Sequence, residues 1–477
     1  MPTSPSLESR FVLGDDLAKQ LAAEFGTPLY VLSEAHIEDR IQRYRAAFAA
    51  AWPKTEITFA SKANSTLAVL QVANRAGCLI DVASEGELRA ALAAGVPADR
   101  CHLHGNNKTE SELHFALVAG VHQIVVDNFD EIELLGRLFH SRMERPAIPA
   151  TLAPPTNGAK SPPIQRWEGE GGRSVATPGA EAWVEKFPDL VLRLAPGVDP
   201  VTHAKISTGQ ADTKFGFNIA DGSAERALLM ALEMKLPVRG FHCHVGSQLL
   251  DPGAQISGGE VLAQFAVDML TKHNFRTEVI NVGGGLGVHY VGDAKPMSVA
   301  DYCRDLVTPI ATILNQAGLE PTLVQEPGRS LVGEAGVTLY RVGTKKTVPS
   351  AKKGSRTYVV VDGGLSDNPR PALYGSQYTV LPIGISGETE TVTVSGKHCE
   401  TDMLFEDIEL PANLAAGDLV QVLVTGAYNA SMASNYNRYP RPAAVMVRLD
   451  GSVAQVQRRD TWDEMFAREL LLEASPS

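Results

Sequence analysis

The sequence has few features of disulfide-bonded, zinc-binding or membrane-spanning proteins. Its five cysteines are odd in number, widely spaced and without a CxxC pair, so neither a disulfide framework nor a zinc pattern is predicted. Apolar residues nowhere run unbroken for the roughly 18 positions that a membrane span needs, and the polar start MPTSPSLESR is unlike a signal peptide. These absences favour a protein of the reducing cytoplasm.

The chain also lacks an excess of basic residues. It contains 43 Lys and Arg against 55 Asp and Glu, a formal net charge of −12, which argues against a dedicated nucleic-acid binder. A hydrophobic content of 44% and a charged content of 21% are ordinary for a globular protein. The length of 477 residues favours two or three domains.

Short β-prone runs alternate with helix-like stretches between about residues 55 and 330. The runs are EITFASK (56–62), LIDVAS (79–84), CHLHG (101–105), QIVVD (123–127), DLVLRLA (189–195), VRGFHCHV (238–245), TEVINVGGG (277–285) and TLVQEPG (322–328). The first four recur every 22 residues, which fits a strand plus a crossover helix. Eight such units predict a closed (β/α)8 barrel, with an open doubly wound sheet as the alternative.

Polar residues and glycines at the ends of these runs favour the barrel. They are Lys62, Asp81, His104, Asp127, His244, Gly283 and Glu326. In a barrel the carboxyl ends of the strands converge on one face, where active sites lie.

The last third of the chain has a different pattern of predicted secondary structure. After residue 335, strands are joined by short turns without long helices, which predicts a mostly antiparallel β domain that includes an N-terminal strand, TPLYVLS (27–33). The predicted domains are therefore a barrel over 36–335 and a β domain over 1–35 and 336–477. A Pro- and Gly-rich stretch at about 144–183 is interpreted as an insertion, more readily a spacer than a lid.

Several strand-end residues have types suited to amine and anion chemistry. Lys62, expected to be crowded and partly desolvated, is a candidate nucleophilic amine for a Schiff base. The run Gly283–Gly285, with Ser247 nearby, could approach a phosphate through backbone N–H groups, although a tight turn explains it equally well.

The carboxylate of Glu326 would be costly in a barrel mouth unless it were paired. Arg329 is one candidate partner, and a pyridinium nitrogen is the functional alternative. His242 and His244 could stack on a cofactor or ligate a metal, but the sequence offers no third ligand at suitable spacing, so no metal site is predicted. In the second domain, Cys399 beside Glu400 is a candidate proton donor.

The chain contains, in this order, the motifs FASKANS, IDVASEGEL, HGNNKTESEL, HCHVGSQL, NVGGGLG, QEPGRS, RPALYGS, KHCETD and GAYNASMASNYNRYPRPA. Taken together, these motifs resemble the fold-type III pyridoxal-phosphate decarboxylases, and within that family they are most similar to the diaminopimelate decarboxylases. The resemblance extends from about residue 25 to 448, interrupted only by the insertion.

The resemblance implies a cofactor, pyridoxal 5′-phosphate, and a set of residues around it. That set comprises Lys62, Asp81, His244, Ser247, Gly283, Gly284, Gly285, Glu326, Gly328, Arg329 and Tyr428. Lys62 would bind the cofactor covalently, His244 would stack on its ring, and Glu326 would pair with its pyridine nitrogen.

The resemblance also implies the substrate contacts and a homodimer. The substrate set comprises Arg329, Arg370, Tyr374, Glu400 and Tyr428, with the arginines and Tyr374 on carboxylates and Glu400 on the distal amine. Cys399 and Glu400 would enter from the partner subunit, with Cys399 as the acid that reprotonates Cα. The catalytic side chains would thus be Lys62, Cys399 and His244.

The implied reaction is decarboxylation of meso-2,6-diaminopimelate to L-lysine and CO2. Alternatives are a related decarboxylase for carboxynorspermidine, arginine or a D-amino acid, a non-catalytic regulator, and a racemase that shares the barrel. One departure from the family is local: this chain has Cys399-Glu400-Thr401-Asp402-Met403 where the family has Cys-Glu-Ser-Gly-Asp.

Overall fold

The protein is described here from a computed structural model. The described residues are 10–143, 186–198, 213–292, 295–351, 354–401 and 403–472. The insertion predicted at about 144–183 therefore lies outside the described residues. No helix within these ranges combines the length and the apolarity needed to cross a membrane.

Numbered along the chain, the described elements alternate strand and helix in the first two thirds and are mainly strands thereafter. The strands are β1 (Leu29–Ser33), β2 (Thr55–Ala60), β3 (Leu79–Val82), β4 (Cys101–Leu103), β5 (Gln123–Val126), β6 (Asp189–Ala195), β7 (Phe217–Asn218), β8 (Val238–His242), β9 (Val279–Asn281), β10 (Thr322–Gln325), β11 (Gly336–Ser350), β12 (Gly354–Val361), β13 (Val380–Pro382), β14 (Thr389–Ser395), β15 (Met403–Pro411), β16 (Leu419–Leu423), β17 (Ala443–Val447) and β18 (Val453–Gln457). The helices are α1 (Asp15–Phe25), α2 (Glu34–Ala51), α3 (Leu67–Arg75), α4 (Glu85–Ala93), α5 (Glu110–Ala119), α6 (Phe129–Met143), α7 (Ser223–Glu233), α8 (Gly253–His273), α9 (Val299–Gln316), α10 (Arg329–Val332), α11 (Arg370–Tyr374) and α12 (Trp462–Phe466).

The chain divides into two compact units. The barrel unit comprises Arg40–Gly287 and Pro296–Gly328, and the β unit comprises Met1–Asp39, Val288–Lys295 and Arg329–Ser477. The segment Val288–Lys295, which the sequence-based division placed in the barrel range, is thus grouped with the β unit.

Eight parallel strands of the barrel unit form a closed ring. Their order is β2-β3-β4-β5-β6-β8-β9-β10, and β10 pairs again with β2. Closure also requires the pairing of β5 with β6, in which Gln123 lies opposite Asp189. This closure excludes the open doubly wound sheet, and each of the eight predicted runs contains one strand, so the predicted (β/α)8 barrel is confirmed.

Local sequence signals explain where the barrel helices begin and end. The Thr109 hydroxyl accepts from the Glu112 amide while the Glu112 side chain accepts from the Thr109 amide, a capping box that starts α5. Gly120 ends the same helix in the left-handed conformation, with φ of 81°. Helix α5 therefore ends at Ala119, and β5 begins at Gln123 after three intervening residues.

The β unit is built on a mostly antiparallel sheet of order β15-β14-β12-β11-β1-β17-β18, to which β16 and β13 add. Strand β1 pairs antiparallel with β11 and parallel with β17, so the predicted N-terminal strand belongs to this sheet. The apolar face of α1, with Leu21, packs with Leu29 and Val445 in one core cluster. The prediction of a β domain that includes the N-terminal strand is confirmed.

Candidate functional site

Lys62 lies at the C-terminal end of β2, in a short 3-10 turn over Ser61–Ala63. Its side chain is exposed, so the expected crowding and partial desolvation are wrong for the described structure. Its charge nevertheless acts on the barrel interior, because it contributes to the pKa values of both Asp81 and His244. Lys62 is thus an exposed residue at the barrel mouth whose charge reaches two buried titratable groups.

Glu326 follows β10 and is only 7% exposed. Its Oε1 accepts a hydrogen bond from Asn281 Nδ2 at 2.6 Å and lies 3.0 Å from His104 Nε2. Its Oε2 lies 3.1 Å from His242 Nε2. Asn281, His104 and His242 are thus the partners of the carboxylate among the described residues, and Arg329, one candidate from the sequence, is not among them. Glu326 and these three residues are here called the barrel-mouth cluster.

The protonation states in the barrel-mouth cluster are set by burial and by neighbouring charge. Burial acts to raise the pKa of Glu326, but His104 and His242 outweigh it and hold that pKa well below its usual range. Burial acts to lower the pKa of His104, but Asp81 and Glu326 outweigh it and raise that pKa. For His242 burial dominates and lowers the pKa to about 4, so its neutral ring donates through Nε2. The cluster thus holds one ionised carboxylate.

Asp81 lies in β3 next to the barrel-mouth cluster, with Oδ1 3.6 Å from His104 Nε2. Burial raises its pKa to about 6, while His104 and Lys62 act to lower it. Its Oδ1 is buried and accepts no hydrogen bond from the described residues. Asp81 is therefore an acceptor with unused capacity beside the candidate amine.

Three groups of the barrel-mouth cluster also have the chemical types of metal ligands. Candidate ligand atoms of His104, His242 and Glu326 all lie within 4.8 Å of one another, a trio that sequence spacing did not reveal. The raised pKa of His104 favours an imidazolium, which cannot ligate a cation, and both Nε2 atoms are already directed at the carboxylate. We therefore interpret the trio as two imidazole–carboxylate contacts, a hydrogen bond with His242 and an ion pair with His104.

The glycine run after β9 lies against the barrel-mouth cluster. Gly283 has φ of +68°, and a Cβ there would come within 2.5 Å of the Cys243 carbonyl oxygen. At Gly284 a Cβ would overlap the carbonyl oxygen of Glu326. Only glycine fits at these two positions, because the backbone here passes directly over neighbouring backbone.

The amides of the glycine run are not equivalent. Gly283 N–H donates to Asn281 Oδ1 at 2.9 Å, and Gly284 N–H lies 3.4 Å from His244 Nδ1. The Gly285 amide donates to no other described residue. Of the three predicted anion-binding amides, that of Gly285 is therefore the one available to an external anion.

His244 and Ser247 follow β8 in a loop held beside the glycine run. The loop is fixed by hydrogen bonds from Leu249 N to Gly285 O and from Gly287 N to Leu249 O, both 2.9 Å. Desolvation lowers the pKa of His244 well below its usual value, so the ring is neutral and can accept through Nδ1. The structure thus brings Ser247, His244 and the glycine run together.

Gly328 occupies a close-packed position next to the Lys62 turn. A Cβ at Gly328 would lie 3.1 Å from the β-carbons of both Ala60 and Ala63. A larger residue at Gly328 would push against the backbone on either side of Lys62.

The β unit contains a separate group of cationic and phenolic side chains, here called the arginine–tyrosine cluster: Arg329, Arg370, Tyr290, Tyr374 and Tyr428. The two arginines are 4% and 6% exposed. The guanidinium carbon of Arg329 lies 4.7 Å from the Tyr428 ring centroid, and that of Arg370 lies 5.5 Å from it and 5.2 Å from the Tyr374 centroid. Four predicted site residues are therefore brought together.

Both guanidiniums of this cluster are buried cations. Burial acts to lower the pKa of Arg329, but Tyr290 and Tyr428 outweigh it and raise that pKa. Arg370 donates to Ser376 Oγ at 3.2 Å, and its buried Nε has no hydrogen-bond partner among the described residues. A buried guanidinium with donor capacity to spare is suited to an anionic ligand.

Tyr428 has a left-handed backbone conformation, with φ of 60°. Such a conformation is costly for a non-glycine residue and concentrates at ligand-binding loops. The next residue, Asn429, is fully buried, and its amide atoms have no hydrogen-bond partner among the described residues.

Cys399 and Glu400 lie in the loop that departs from the family pattern. Cys399 is exposed, and its N–H donates to Asn437 Oδ1 at 2.8 Å. The Tyr436 hydroxyl donates a very short hydrogen bond to the Glu400 carboxylate, which raises the pKa of Tyr436. The predicted pair is thus held by the SNYNRYP segment, while Asp402 lies outside the described residues.

Sequence reasoning assigned no role to three residues that the structure places in these clusters. Asn281 connects Glu326 to the glycine run, and its position just before that run was an available signal. His104 was noted only as a strand-end residue. Tyr290 had no signal, because its segment follows the glycine run in the chain but groups with the β unit.

Comparison with known families agrees with these features. Residues 34–149 and 180–333 match the family described as "Pyridoxal-dependent decarboxylase, pyridoxal binding domain". The gap between the two matched ranges falls within the predicted insertion.

Curated relatives cover nearly the whole chain. The diaminopimelate decarboxylase of Bacillus subtilis is 40% identical over 458 residues, which are 95% of this chain and 93% of the relative. That of Actinosynnema pretiosum is 38% identical over 477 residues, covering 98% of this chain and 95% of the relative.

Solved structures show the same likeness. The diaminopimelate decarboxylase of M. jannaschii in complex with L-lysine has a TM-score of 0.80 and 31% identity, covering 95% of this chain and 94% of that one. These matches in sequence and structure show that the chain belongs to the pyridoxal-dependent decarboxylase family, among the diaminopimelate decarboxylases.

Proposed function

We propose that this chain is a pyridoxal-phosphate-dependent carboxy-lyase that converts meso-2,6-diaminopimelate to L-lysine and CO2. The curated relatives described above are named diaminopimelate decarboxylases, and the M. jannaschii relative was solved in complex with L-lysine. The further support comes from the chemistry of the two clusters.

The barrel-mouth residues fit a phosphorylated pyridine cofactor. Among the described residues, Glu326 Oε2 accepts only from His242, so one lone pair remains for a pyridine N–H. The Gly285 amide and the Ser247 hydroxyl offer donors for a phosphate. When bound, pyridoxal phosphate supplies a protonated pyridine ring that delocalises the electron pair left at Cα as CO2 departs.

In this assignment each barrel residue has a distinct task. Lys62 would tether the cofactor through its exposed amine. His244, neutral and held by the glycine run, would lie against the ring, while the ionised Glu326 would keep the pyridine nitrogen protonated. Asp81 would accept from a donor near the amine, and Gly328 would leave room for the Lys62 turn.

The arginine–tyrosine cluster would bind carboxylate. Arg370, with Tyr374 against its guanidinium, would take the substrate's carboxylate at the distal end, because a planar fork can donate two parallel hydrogen bonds. Arg329 and Tyr428 would bind the cofactor phosphate or the nearby substrate carboxylate. Glu400 would bind the distal ammonium.

Cys399 would return a proton to Cα after CO2 leaves, acting in the site of a second copy of the chain. Its exposure in the described structure is compatible with use by a partner subunit. Thus the proposal includes a homodimer with shared sites. A cytoplasmic location also belongs to the proposal, and all five cysteines are free thiols.

The observation that carries the proposal is the ionised Glu326, held at the end of β10 by His104, His242 and Asn281. A carboxylate with a pKa so far below its usual range cannot serve as a proton donor near neutral pH. Its chemistry is instead to stabilise a positive charge, which a pyridinium nitrogen provides.

The test begins with the absorbance spectrum of the purified protein. The wild type should show the visible band of lysine-bound pyridoxal phosphate, and Lys62→Ala should lose it. Lys54→Ala is the matched control, since Lys54 precedes β2 and contacts Glu320 on the surface. A Lys62→Ala protein that keeps the band would remove Lys62 from this role.

Substrate identity is tested by measuring CO2 and lysine from meso-diaminopimelate alongside arginine, carboxynorspermidine and D-amino acids. The proposal requires the highest kcat/KM for meso-diaminopimelate. A higher value for any other substrate would overturn it while leaving the cofactor assignment intact.

A further inference from the structure

Tyr290 occupies a central position in the arginine–tyrosine cluster, although neither its sequence context nor the family motifs pointed to it. Its hydroxyl accepts a hydrogen bond from Arg329 Nη1 at 2.7 Å. Its ring centroid lies 5.9 Å from the guanidinium carbon of Arg329 and 6.0 Å from that of Arg370. Tyr290 therefore contacts both buried cations at once.

The ring of Tyr290 is itself fixed from a second direction. It packs edge-on against the fully buried Tyr378, with ring centroids 4.9 Å apart at 78°. Tyr378 continues this contact to Phe405, 5.6 Å away, in a core cluster of the β unit. The orientation of the phenol is thus determined by the core.

The backbone at Tyr290 is anchored as well. Its carbonyl oxygen accepts from Arg10 Nη1 at 3.0 Å and from Thr379 Oγ1 at 2.8 Å. Arg10 also donates to Thr379 Oγ1 at 3.0 Å, so the three residues form a closed set of hydrogen bonds. This anchoring explains why Val288–Lys295 groups with the β unit although the barrel strands β9 and β10 flank it.

We propose that Tyr290 is a positioning residue that holds the guanidiniums of Arg329 and Arg370 in the mutual orientation needed to bind the carboxylates of a dicarboxylate ligand. The phenol oxygen directs one N–H of Arg329, and the ring face limits the rotation of both side chains. Side chains positioned in advance lose less conformational entropy when the ligand binds, so the effect belongs to binding. This inference rests on the proposed carboxylate recognition and adds to it the residue that orients the cations.

The test compares holoenzyme of wild type, Tyr290→Phe and Tyr290→Leu. Loss of the phenol oxygen in Tyr290→Phe should raise KM for meso-diaminopimelate about tenfold, the size expected for one hydrogen bond from a charged donor. The turnover number and the cofactor absorbance should stay within twofold, since Tyr290 touches neither reacting atoms nor cofactor in this assignment. Tyr290→Leu, which also removes the ring, should raise KM further.

Tyr358→Phe is the matched control. Its hydroxyl also accepts from an arginine, Arg356 Nη1 at 3.4 Å, with the guanidinium carbon 5.8 Å from the ring, but in strand β12 outside the cluster. We expect its KM to equal that of the wild type.

A second measurement does not depend on turnover. Pimelate, a seven-carbon dicarboxylate without amino groups, is titrated into each holoenzyme by calorimetry, and its Kd should weaken about tenfold in Tyr290→Phe. Unchanged KM and unchanged pimelate Kd would overturn the inference. So would a loss of cofactor affinity with unchanged KM, because Tyr290 would then serve the cofactor.

The two proposals fail in different ways. A wild type that releases no CO2 from meso-diaminopimelate overturns the proposed function, and the pimelate titration then decides the inference. A wild type that turns over normally while Tyr290→Phe matches it in both measurements overturns only the role of Tyr290. A wild type that does not bind pimelate also overturns the inference.

Discussion

His104 Nε2 lies 3.0 Å from Glu326 Oε1, and both side chains are less than a tenth exposed. In this low-dielectric setting the ionisation of Glu326 is set by its neighbours, because solvent contributes little. His242 and Asn281 complete the arrangement from two other strands. The carboxylate is therefore prepared to stabilise a cation before any ligand arrives.

Glu326→Gln tests this electrostatic role. The amide keeps the size of the side chain but loses the charge, so it cannot hold a pyridine nitrogen protonated. We expect kcat to fall by about 10²-fold or more, with the cofactor still bound through Lys62. Steady-state kinetics and the absorbance spectrum measure the two effects separately.

Glu320→Gln is the control for that variant, because Glu320 precedes β10 at the opposite end of the strand and lies on the surface. It should retain wild-type kcat. A Glu326→Gln enzyme with wild-type kcat would show that the charge is unnecessary.

Arg370→Lys tests carboxylate recognition in the arginine–tyrosine cluster. Lysine keeps the positive charge but cannot form two parallel hydrogen bonds, and it loses the planar contact with Tyr374. We expect KM for meso-diaminopimelate to rise about tenfold or more, with the cofactor spectrum unchanged. Arg356→Lys in β12 is the control and should leave KM unaltered, whereas equal effects of both variants would contradict the assignment.

Mixing of two inactive variants tests whether sites are shared between subunits. Lys62→Ala removes the tethering amine, and Cys399→Ala removes the proposed proton donor. If each site takes Lys62 from one subunit and Cys399 from the other, a mixture should recover up to about a quarter of wild-type activity, since half of the dimers are mixed and each restores one of two sites. Activity no greater than that of the separate variants would contradict sharing.

The buried histidine His102 predicts a pH dependence of stability in the barrel. Burial, reinforced by repulsion from His122 and His104, lowers the pKa of His102 to about 3, whereas its usual value is 6.5. As pH falls below 6.5, His102 binds a proton in the unfolded chain, whereas in the folded chain it binds one only near pH 3. The free energy of unfolding should therefore fall between these pH values, by up to about 1.4 kcal/mol per pH unit from this residue.

The slope of that fall, measured by urea unfolding at several pH values from 7 to 4, is the readout. His102→Leu should reduce this slope by the contribution of one bound proton, up to about 1.4 kcal/mol per pH unit. This reduction is expected whatever the substitution does to stability at pH 7. His114→Leu, at a half-exposed position in α5, is the control. An unchanged slope in His102→Leu would show that His102 titrates equally in both states.

The strands and helices of the barrel were predictable because their signals are local. The apolar runs, the capping box at Thr109 and the glycine at position 120 each act within about ten residues of sequence. Lys62 and Glu326 were predicted to lie at the carboxyl ends of strands because each follows an apolar run directly. All strands of a parallel barrel have their carboxyl ends on the same face, so both residues were expected on that face.

The partners of Glu326 and the exposure of Lys62 were determined by the tertiary structure. The sequence offered Arg329 as one candidate partner for Glu326, but His104, His242 and Asn281, at the ends of three separate strands, reach the carboxylate because closure of the ring brings these ends together. Lys62 is exposed, contrary to expectation, because it leaves β2 in a turn at the barrel rim.

From its order of residues alone, this chain specifies an eightfold alternation of strand and helix, the glycines of a close backbone approach and the lysine of a family motif. These depend on short-range periodicity and on backbone conformations that few residues can adopt. Which charges meet, and which tyrosine stands between two arginines, depends on contacts between segments up to hundreds of residues apart. Only tertiary packing brings such segments together, because burial and hydrogen bonding between distant segments form only as the chain folds.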